Sequence, residues 1–309
     1  GGQAVKTIKK RSLKLPDFTD VVEDLTREAS FLESINHPNI VQLLGVSEAI
    51  SEAQRSLRMA SVSPGTDCSA SKTNVSDAAA AGNAYDYFIV MEKLEATLEE
   101  RMKHWKAEEV NFSRICYLQS YWKAIVKQRL PAAIQIARAL QHLHVDMNGI
   151  VYRDLKPGNI GFIGETPKLF DFGLAVMSHE THLGPAGSPR YMAPESMNDS
   201  SSSSSSSSSV SSFGFHCDTS VDVFAFGIVL WEMLTLETPF RHFTPSDHYK
   251  RVIQQGERPP IPSWWPRELR TLIRGCWSRN PLRRPRIQEI VKELERIQQI
   301  RRLPTTKTN

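Results

Sequence analysis

Apolar residues recur every three or four positions in several stretches of the chain, and this spacing predicts helices. The first stripe consists of Val22, Leu25, Ala29 and Leu32, with Asp20 as the expected N-cap. Downstream, the same spacing predicts three more helices, over residues 130–143, 221–236 and 291–297. The pattern therefore predicts a large helical portion that follows a smaller region near the start of the chain.

Shorter apolar runs bounded by polar or turn residues predict strands. One such run covers residues 87–91. Two others, 160–163 and 168–170, are separated by a turn that contains glycine, which predicts a hairpin. A hairpin at this place would bring Asp171 back beside Asn159.

Two long segments lack any apolar periodicity. Residues 47–84 are rich in Ser, Ala, Thr, Gly and Asn, and we predict a disordered insert there. Residues 199–213 include an unbroken serine run from 200 to 209, which predicts a flexible loop. The polar tail, 304–309, is expected to fray.

Composition and charge narrow the class of protein. The chain has 309 residues, of which 40% are hydrophobic and 23% charged, as in ordinary globular proteins. Its 38 basic and 34 acidic residues leave a net charge of +4, too even to favour nucleic acid or an anionic membrane as a partner. The four cysteines are widely spaced, so a reducing, cytoplasmic location is expected. The longest apolar run, 221–236, carries two acidic residues and is too short to span a bilayer.

Four residues that are suited to phosphate chemistry lie shortly before or directly after the predicted hairpin: Asp154, Lys156, Asn159 and Asp171. Transfer of a phosphoryl group from ATP and Mg²⁺ needs oxygen ligands for a hard cation, a carboxylate facing the incoming hydroxyl, and a cation near the migrating charge. The cluster supplies each of these.

The two sequences that carry this cluster, Tyr-Arg-Asp-Leu-Lys-Pro-Gly-Asn at 152–159 and Phe-Asp-Phe-Gly at 170–173, resemble the signature of the eukaryotic-type protein kinases. The resemblance covers nearly the whole chain apart from the two inserts and the tail. It implies an α+β, two-lobed fold with a small, mostly β N-lobe over 1–91 and a hinge at 92–94. A large, mostly α C-lobe would follow over 95–303.

The resemblance also implies a role for each polar residue of the cluster. Asp154 would accept the proton of the substrate hydroxyl, and Lys156 would neutralise charge on the migrating phosphoryl group. Asn159 and Asp171 would hold two Mg²⁺ ions.

Residues outside the cluster would bind the rest of ATP. Lys6, held by Glu28, would position the α- and β-phosphates. Met91 would guard the back of the adenine pocket, and the hinge residues Glu92 and Leu94 would present backbone groups to the adenine edge.

Two buried carboxylates are expected to hold the segments of the site in place. Glu195, at the end of the activation segment, is expected to pair with Arg284, with Arg283 as the alternative. Asp222 would brace the catalytic loop from below.

The resemblance extends to specificity and regulation. Lys156 and a Ser188 hydroxyl bonded to both Asp154 and Lys156 are typical of serine/threonine specificity, and the run Trp-Glu-Met-Leu at 231–234 resembles the tyrosine-kinase-like group. Protein substrates, ATP and an upstream activating kinase are the expected partners, because Arg153 could bind a phosphate on the activation segment. Ser178 and Thr181 are the candidate acceptors of that phosphate.

Three departures from the family pattern qualify the expectation. The sequence contains no Gly-rich phosphate-covering loop before Lys6, so we expect a truncated N-lobe that lacks its first strands and binds ATP weakly. Tyr152 stands where the family usually has His and is expected to pack with Leu32, Leu43 and Phe172. Gly161 replaces a large apolar residue that would support the adenine from below, and nothing in the sequence explains it.

Two alternatives to a serine/threonine kinase stay open at this point. One is a catalytically impaired kinase-fold scaffold, which would be free to lose residues of the cluster. The other is a tyrosine or dual-specificity kinase.

Overall fold

A computed structural model describes residues 2–8, 15–62, 86–109, 122, 124–178, 181–182, 186–197, 215–216 and 218–302 of the chain. The strands are β1 (Gln3–Thr7), β2 (Leu43–Val46), β3 (Phe88–Glu92), β4 (Ala96–Thr97), β5 (Ile150–Val151), β6 (Ile160–Ile163), β7 (Thr166–Leu169), β8 (Val176–Met177), β9 (Thr181–His182) and β10 (Phe215–His216). The helices are α1 (Leu15–Ser34), α2 (Glu48–Val62), α3 (Leu98–Glu109), α4 (Leu130–Gln141), α5 (Ser220–Thr235), α6 (Pro245–Asp247), α7 (Arg267–Cys276) and α8 (Ile287–Arg302).

The N-terminal part is a small antiparallel sheet with helices α1 and α2 beside it. Its strand order is β1-β3-β2, so β3 lies in the middle and pairs with both neighbours. Helix α1 buries one apolar stripe that includes Val22, Leu25 and Ala29. The helix begins at Leu15, so the prediction that Asp20 caps its N-terminus is wrong.

The prediction of a disordered insert over residues 47–84 is wrong for its first part. Residues Glu48–Val62 form α2, in which Ile50 is fully buried and Ala53 nearly so. The Ser47 hydroxyl accepts a hydrogen bond from the Ile50 amide at 3.4 Å, which satisfies one free N–H group at the start of the helix. Residues 63–85 lie outside the part that the structure describes, as do the serine run and the tail from 303.

The larger part of the chain is helical and is organised around α5. Fourteen of the sixteen residues of α5 are buried, from Val221 to Leu234. Helices α4, α7 and α8 pack around the same core, where Leu140, Ile273 and Leu294 are fully buried. Within the described residues, no helix combines the length and apolar content needed to cross a bilayer.

A small sheet and a hairpin connect the two parts. Strands β6 and β7 pair antiparallel around a turn at Gly164 and Glu165, as the sequence predicts, and β4 pairs with the other edge of β6. The two-lobed α+β fold is thereby confirmed, with the polar cluster around Asp154 at the junction of the lobes.

Candidate active site

The loop that follows β5 is held from below by a buried carboxylate of α5. Asp222, 1% exposed, accepts hydrogen bonds from the backbone N–H groups of Tyr152 and Arg153, each at 2.8 Å. His144 Nε2 lies 2.8 Å from the same carboxylate. Both oxygens of Asp222 are therefore engaged, and the expected bracing of this loop is confirmed.

Asp154 lies at the centre of a closed set of short hydrogen bonds. Lys156 Nζ donates to Asp154 Oδ2 at 2.6 Å, and Ser188 Oγ donates to Asp154 Oδ1 at 2.8 Å. Lys156 Nζ also lies 2.8 Å from Ser188 Oγ. The Ser188 contacts expected from the sequence are thus present, and they lock the end of the activation segment onto the catalytic loop.

The β6–β7 hairpin brings Asp171 to the same place. The Phe170 amide donates to the Asn159 carbonyl oxygen at 3.1 Å, which ties the end of the hairpin to the loop before it. Asp171 and Arg153 have positive φ angles of 66° and 69°. Residues other than glycine rarely adopt positive φ angles. Backbone strain of this kind is common at sites where a fold holds functional groups in place.

Lys6 reaches Asp171 across the interlobe junction. Its Nζ lies 2.9 Å from Asp171 Oδ1 and 2.5 Å from Glu28 Oε2. Burial favours the neutral amine, but the carboxylates of Glu28 and Asp171 outweigh that effect and raise the pKa of Lys6 above its usual range. The lysine is therefore fully charged at neutral pH, as phosphate binding requires.

Glu28 connects this ion pair to the backbone of the Asp-Phe-Gly segment. Its side chain is 1% exposed, and its Oε1 accepts a hydrogen bond from the Phe172 amide at 3.3 Å. Glu28 lies next to Ala29, at the edge of the apolar stripe of α1. From this position its side chain contacts both Lys6 and the Phe172 amide.

The oxygen atoms left over in the cluster fit Mg²⁺. Asn159 Nδ2 donates to Asp154 Oδ2 at 2.8 Å, which directs Asn159 Oδ1 away from that bond. Within the residues that the structure describes, neither Asn159 Oδ1 nor Asp171 Oδ2 has a hydrogen-bond partner. Magnesium takes one or two protein oxygens and completes its shell with water and substrate phosphates, so this donor set suits it.

Tyr152 fills the core beneath Phe172 and adds a hydrogen bond. Its ring is fully buried and packs edge-on against the Phe172 ring, with centroids 5.1 Å apart. Its hydroxyl donates to the Phe170 carbonyl oxygen, immediately before Asp171. Leu32 belongs to the same large apolar core, and Leu43 packs against that core. Burial raises the pKa of Tyr152 well above its usual range, so the hydroxyl stays a donor.

The expected hinge follows β3, and part of its backbone is already paired. The Glu92 amide donates to the Gln42 carbonyl oxygen at 3.1 Å, and the Lys93 amide donates to the Gly2 carbonyl oxygen at 3.0 Å. The Glu92 carboxylate contacts Lys168 at 2.6 Å. Met91, at the end of β3, is 8% exposed. Met91, Glu92 and Leu94 were the residues expected to contact adenine. Because the backbone N–H group of Glu92 is already bonded, only its backbone carbonyl group remains for adenine.

Gly161, unexplained by the sequence, lies directly beneath the side chain of Leu94. A Cβ atom at Gly161 would lie 2.9 Å from Leu94 Cγ and 3.1 Å from Leu94 Cβ, and closer still to Leu94 Cδ1. The hinge side chain thus occupies the space in which a larger residue at 161 would sit. The Leu94 side chain therefore fills the space that a side chain at Gly161 of β6 would occupy.

The ion pair expected at the end of the activation segment is also present. Arg284 Nη1 and Nη2 donate to the two oxygens of Glu195 at 2.5 Å and 2.8 Å, and the Arg284 side chain is fully buried. Arg284, and not Arg283, is the partner. Of the candidate phosphate acceptors, Ser178 follows β8 with its amide bonded to the Gly149 carbonyl oxygen at 2.8 Å. The side chain of Thr181 lies outside the described part of the chain.

Sequence reasoning missed two pairs that shape the site. One is the contact of His144 with Asp222, and the other is the hydrogen bond from the Tyr191 hydroxyl to Glu232 Oε2 at 2.8 Å. Neither has a local sequence signal, because the partners lie 78 and 41 residues apart.

Comparison with known proteins agrees with this geometry. The family described as "Protein kinase domain" matches residues 2–294. The chain is 35% identical to the serine/threonine/tyrosine-protein kinase HT1 of Arabidopsis thaliana over 54% of the chain and 39% of HT1. It is 29% identical to the serine/threonine-protein kinase VIK of the same plant, over 92% of the chain and 53% of VIK. It is 27% identical to a putative mitogen-activated protein kinase kinase kinase 7-like protein of Drosophila melanogaster, over 92% of the chain and 59% of that protein.

The chain therefore spans less than two thirds of the length of each of these curated relatives. The family match, in contrast, covers nearly all of it, including every residue of the cluster around Asp154. The chain belongs to the protein kinase domain family.

Proposed function

We propose that this domain is a serine/threonine kinase of the tyrosine-kinase-like group, which transfers the γ-phosphoryl group of ATP to hydroxyl groups of protein substrates. The observation that carries the proposal is the closed contact among Asp154, Lys156 and Ser188, with distances of 2.6–2.8 Å. It holds a carboxylate and an ammonium side by side at the mouth of a substrate groove. Such a pair can orient a hydroxyl for in-line attack and stabilise the charge that develops on the phosphoryl group.

Each residue of the site has a defined task in this proposal. Asp154 orients the attacking hydroxyl and takes its proton late in the transfer, for which a carboxylate of ordinary basicity suffices. Lys156 lies next to the migrating group. Lys6, kept charged by Glu28, holds the phosphates of ATP.

Asn159 and Asp171 would hold Mg²⁺ in this proposal. The bound ion supplies positive charge against the phosphate oxygens. Asp171 also contacts Lys6, so a single residue links the metal site to the residue that binds the phosphates.

Serine/threonine specificity rests on Ser188 and Lys156, and the names of the relatives support it. HT1 is named as a serine/threonine/tyrosine kinase, which makes dual specificity the second candidate. No residue of the cluster is missing, so no observation favours a scaffold without catalysis. A cytoplasmic location and an upstream kinase that acts on Ser178 or Thr181 are parts of the same proposal.

The test is transfer from γ-labelled ATP with Mg²⁺ to a mixture of Ser-, Thr- and Tyr-containing peptides, followed by analysis of the labelled amino acids. We expect label on Ser and Thr, and none with the isosteric variant Asp154→Asn. Label on Tyr alone would overturn the specificity. A domain that transfers no more label than Asp154→Asn would overturn the enzymatic proposal.

A further inference from the structure

A groove of about 810 Å³ opens directly beside Lys156 and Ser188. One wall comes from α3, a second from the end of the activation segment, and the third from the segment 240–248 that includes α6. Because it begins at the proposed catalytic pair, the groove is where a protein substrate would lie. Its charges therefore bear on which substrates it accepts.

The carboxylates of this groove are already engaged. Glu99 pairs with Lys103 at 3.0 Å on the surface of α3. Glu232 accepts the Tyr191 hydroxyl at 2.8 Å, and burial raises its pKa to about 7. Near neutral pH, Glu232 is thus only partly ionised, and the charge of Glu99 is partly offset by that of Lys103, so the negative charge offered to a basic substrate is reduced.

The cations of the groove are in the opposite condition. Arg190, two residues after Ser188, and Arg241 both line the groove and are exposed. Within the described ranges, neither has a carboxylate within ion-pair distance. Arg190 interacts electrostatically with Glu232, and its side chain hydrogen-bonds to Tyr191, whereas Arg241 is exposed with no such neighbour among the described residues. Because Glu232 is only partly ionised, the two guanidinium groups leave a net positive potential along the path of a bound peptide.

A buried histidine in the same groove points to a missing polar partner. His248 is 7% exposed and lines the groove, where its ring packs edge-on against Phe240 at 5.3 Å. Neither ring nitrogen makes a hydrogen bond within the described residues, and burial together with the nearby Arg190 charge lowers the pKa of His248, so the ring is neutral. A hydrogen bond from a bound peptide group would satisfy one of these nitrogens.

We propose that this groove selects acidic substrate segments, with Asp or Glu near the phosphorylated residue. The proposal rests on the kinase activity proposed above and names its substrate class. Arg190 and Arg241 supply the attraction, and the contacts of Glu99 with Lys103 and of Glu232 with Tyr191 weaken the competing preference for basic segments. Guanidinium groups bind carboxylates through two parallel hydrogen bonds, so the preference should depend on position.

The test measures kcat/KM for three peptides that share one Ser acceptor and carry neutral, acidic or basic flanking residues. We expect the acidic peptide to exceed the neutral one by roughly three- to tenfold at low salt and to lose most of that advantage at high salt. Arg241→Glu should remove the preference. Lys250→Glu makes the same change of charge at an exposed position outside the groove and should retain it.

The neutral peptide separates the two proposals. If it is not phosphorylated above the level of Asp154→Asn, the kinase proposal itself is wrong. If it is phosphorylated but the acidic peptide has no advantage, or if Arg241→Glu and Lys250→Glu behave alike, the substrate class proposed for the groove is wrong.

Discussion

The packing of Leu94 on Gly161 leads to a quantitative prediction for Gly161→Ala. The backbone at Gly161 has strand geometry without a positive φ angle, so the strand itself tolerates a side chain. The new methyl group would instead collide with Leu94, 2.9 Å from its Cγ and 3.1 Å from its Cβ. Leu94 can rotate its outer atoms away, but its Cβ moves only if the hinge backbone moves.

The size of the effect follows from the costs of overpacking. Forcing an extra methyl group into a filled site costs about 1–3 kcal/mol, and we expect a loss of unfolding free energy in that range. Because Leu94 belongs to the expected hinge, its displacement should also weaken nucleotide binding. We expect the Kd of Mg-ATP to rise roughly tenfold, which corresponds to about 1.4 kcal/mol.

Urea unfolding and titration with a fluorescent ATP analogue measure both quantities. Gly45→Ala is the matched control, since a Cβ at this position in β2 meets nothing within 4 Å. In the double variant, Leu94→Ala should restore most of the loss caused by Gly161→Ala, with a coupling energy of about 1 kcal/mol or more. Equal effects of Gly161→Ala and Gly45→Ala would refute the assignment of Leu94 as the replacement for the missing side chain.

Three further variants test the frame of the site by urea unfolding. Tyr152→Phe leaves the Phe170 carbonyl oxygen without its donor and should cost about 1–3 kcal/mol; an unchanged midpoint would show that the hydroxyl contributes nothing. Glu195→Gln leaves the buried charge of Arg284 without a counterion and should cost about 3 kcal/mol, whereas a cost below about 1 kcal/mol would contradict a buried ion pair. Glu232 has a pKa of about 7 when folded against an ordinary 4.5, so its contribution to stability is lost as pH rises between these values. Glu232→Gln should abolish this contribution to the fall in unfolding free energy between pH 5 and pH 8, a difference of up to roughly 3 kcal/mol. Identical pH profiles of the variant and the unmodified domain would contradict a raised pKa for Glu232.

The spatial grouping of the polar cluster was predictable because its residues are close in sequence. Asp154, Lys156 and Asn159 lie in one loop, and a single hairpin returns Asp171 to them. Local spacing and turn residues decide that geometry. Lys6 and Glu28 come from a strand and the next helix, and only the resemblance to a family linked them to each other; the contact of Lys6 with Asp171 was not predicted.

Helix α2 shows where composition misled. The high content of Ser and Ala over 47–84 suggested disorder, but the first third of that segment has Ile50 and Ala53 at helical spacing after Ser47, a residue that caps helices. A window of 38 residues averaged this local signal away. Ile50, Ala53 and Gln54 are buried against the rest of the fold, and this packing stabilises the helix beyond its intrinsic propensity.

Other features depend on distances that no sequence pattern contains. Leu94 and Gly161 are 67 positions apart in the sequence. Whether the Leu94 side chain fills the space above Gly161 depends on how the segment of Leu94 is placed against β6. The same holds for the groove, whose cations Arg190 and Arg241 come from different segments. A count of charges over the whole chain could not locate them.

The central claim is that the contact of Asp154 with Lys156 and Ser188 performs phosphoryl transfer, and single-turnover kinetics test it directly. The rate of transfer from bound ATP to a Ser peptide should fall about 10²- to 10⁴-fold in Asp154→Asn, with peptide and nucleotide affinities little changed. Gly45→Ala should match the unmodified domain. A rate in Asp154→Asn within a few-fold of the unmodified domain would contradict the account.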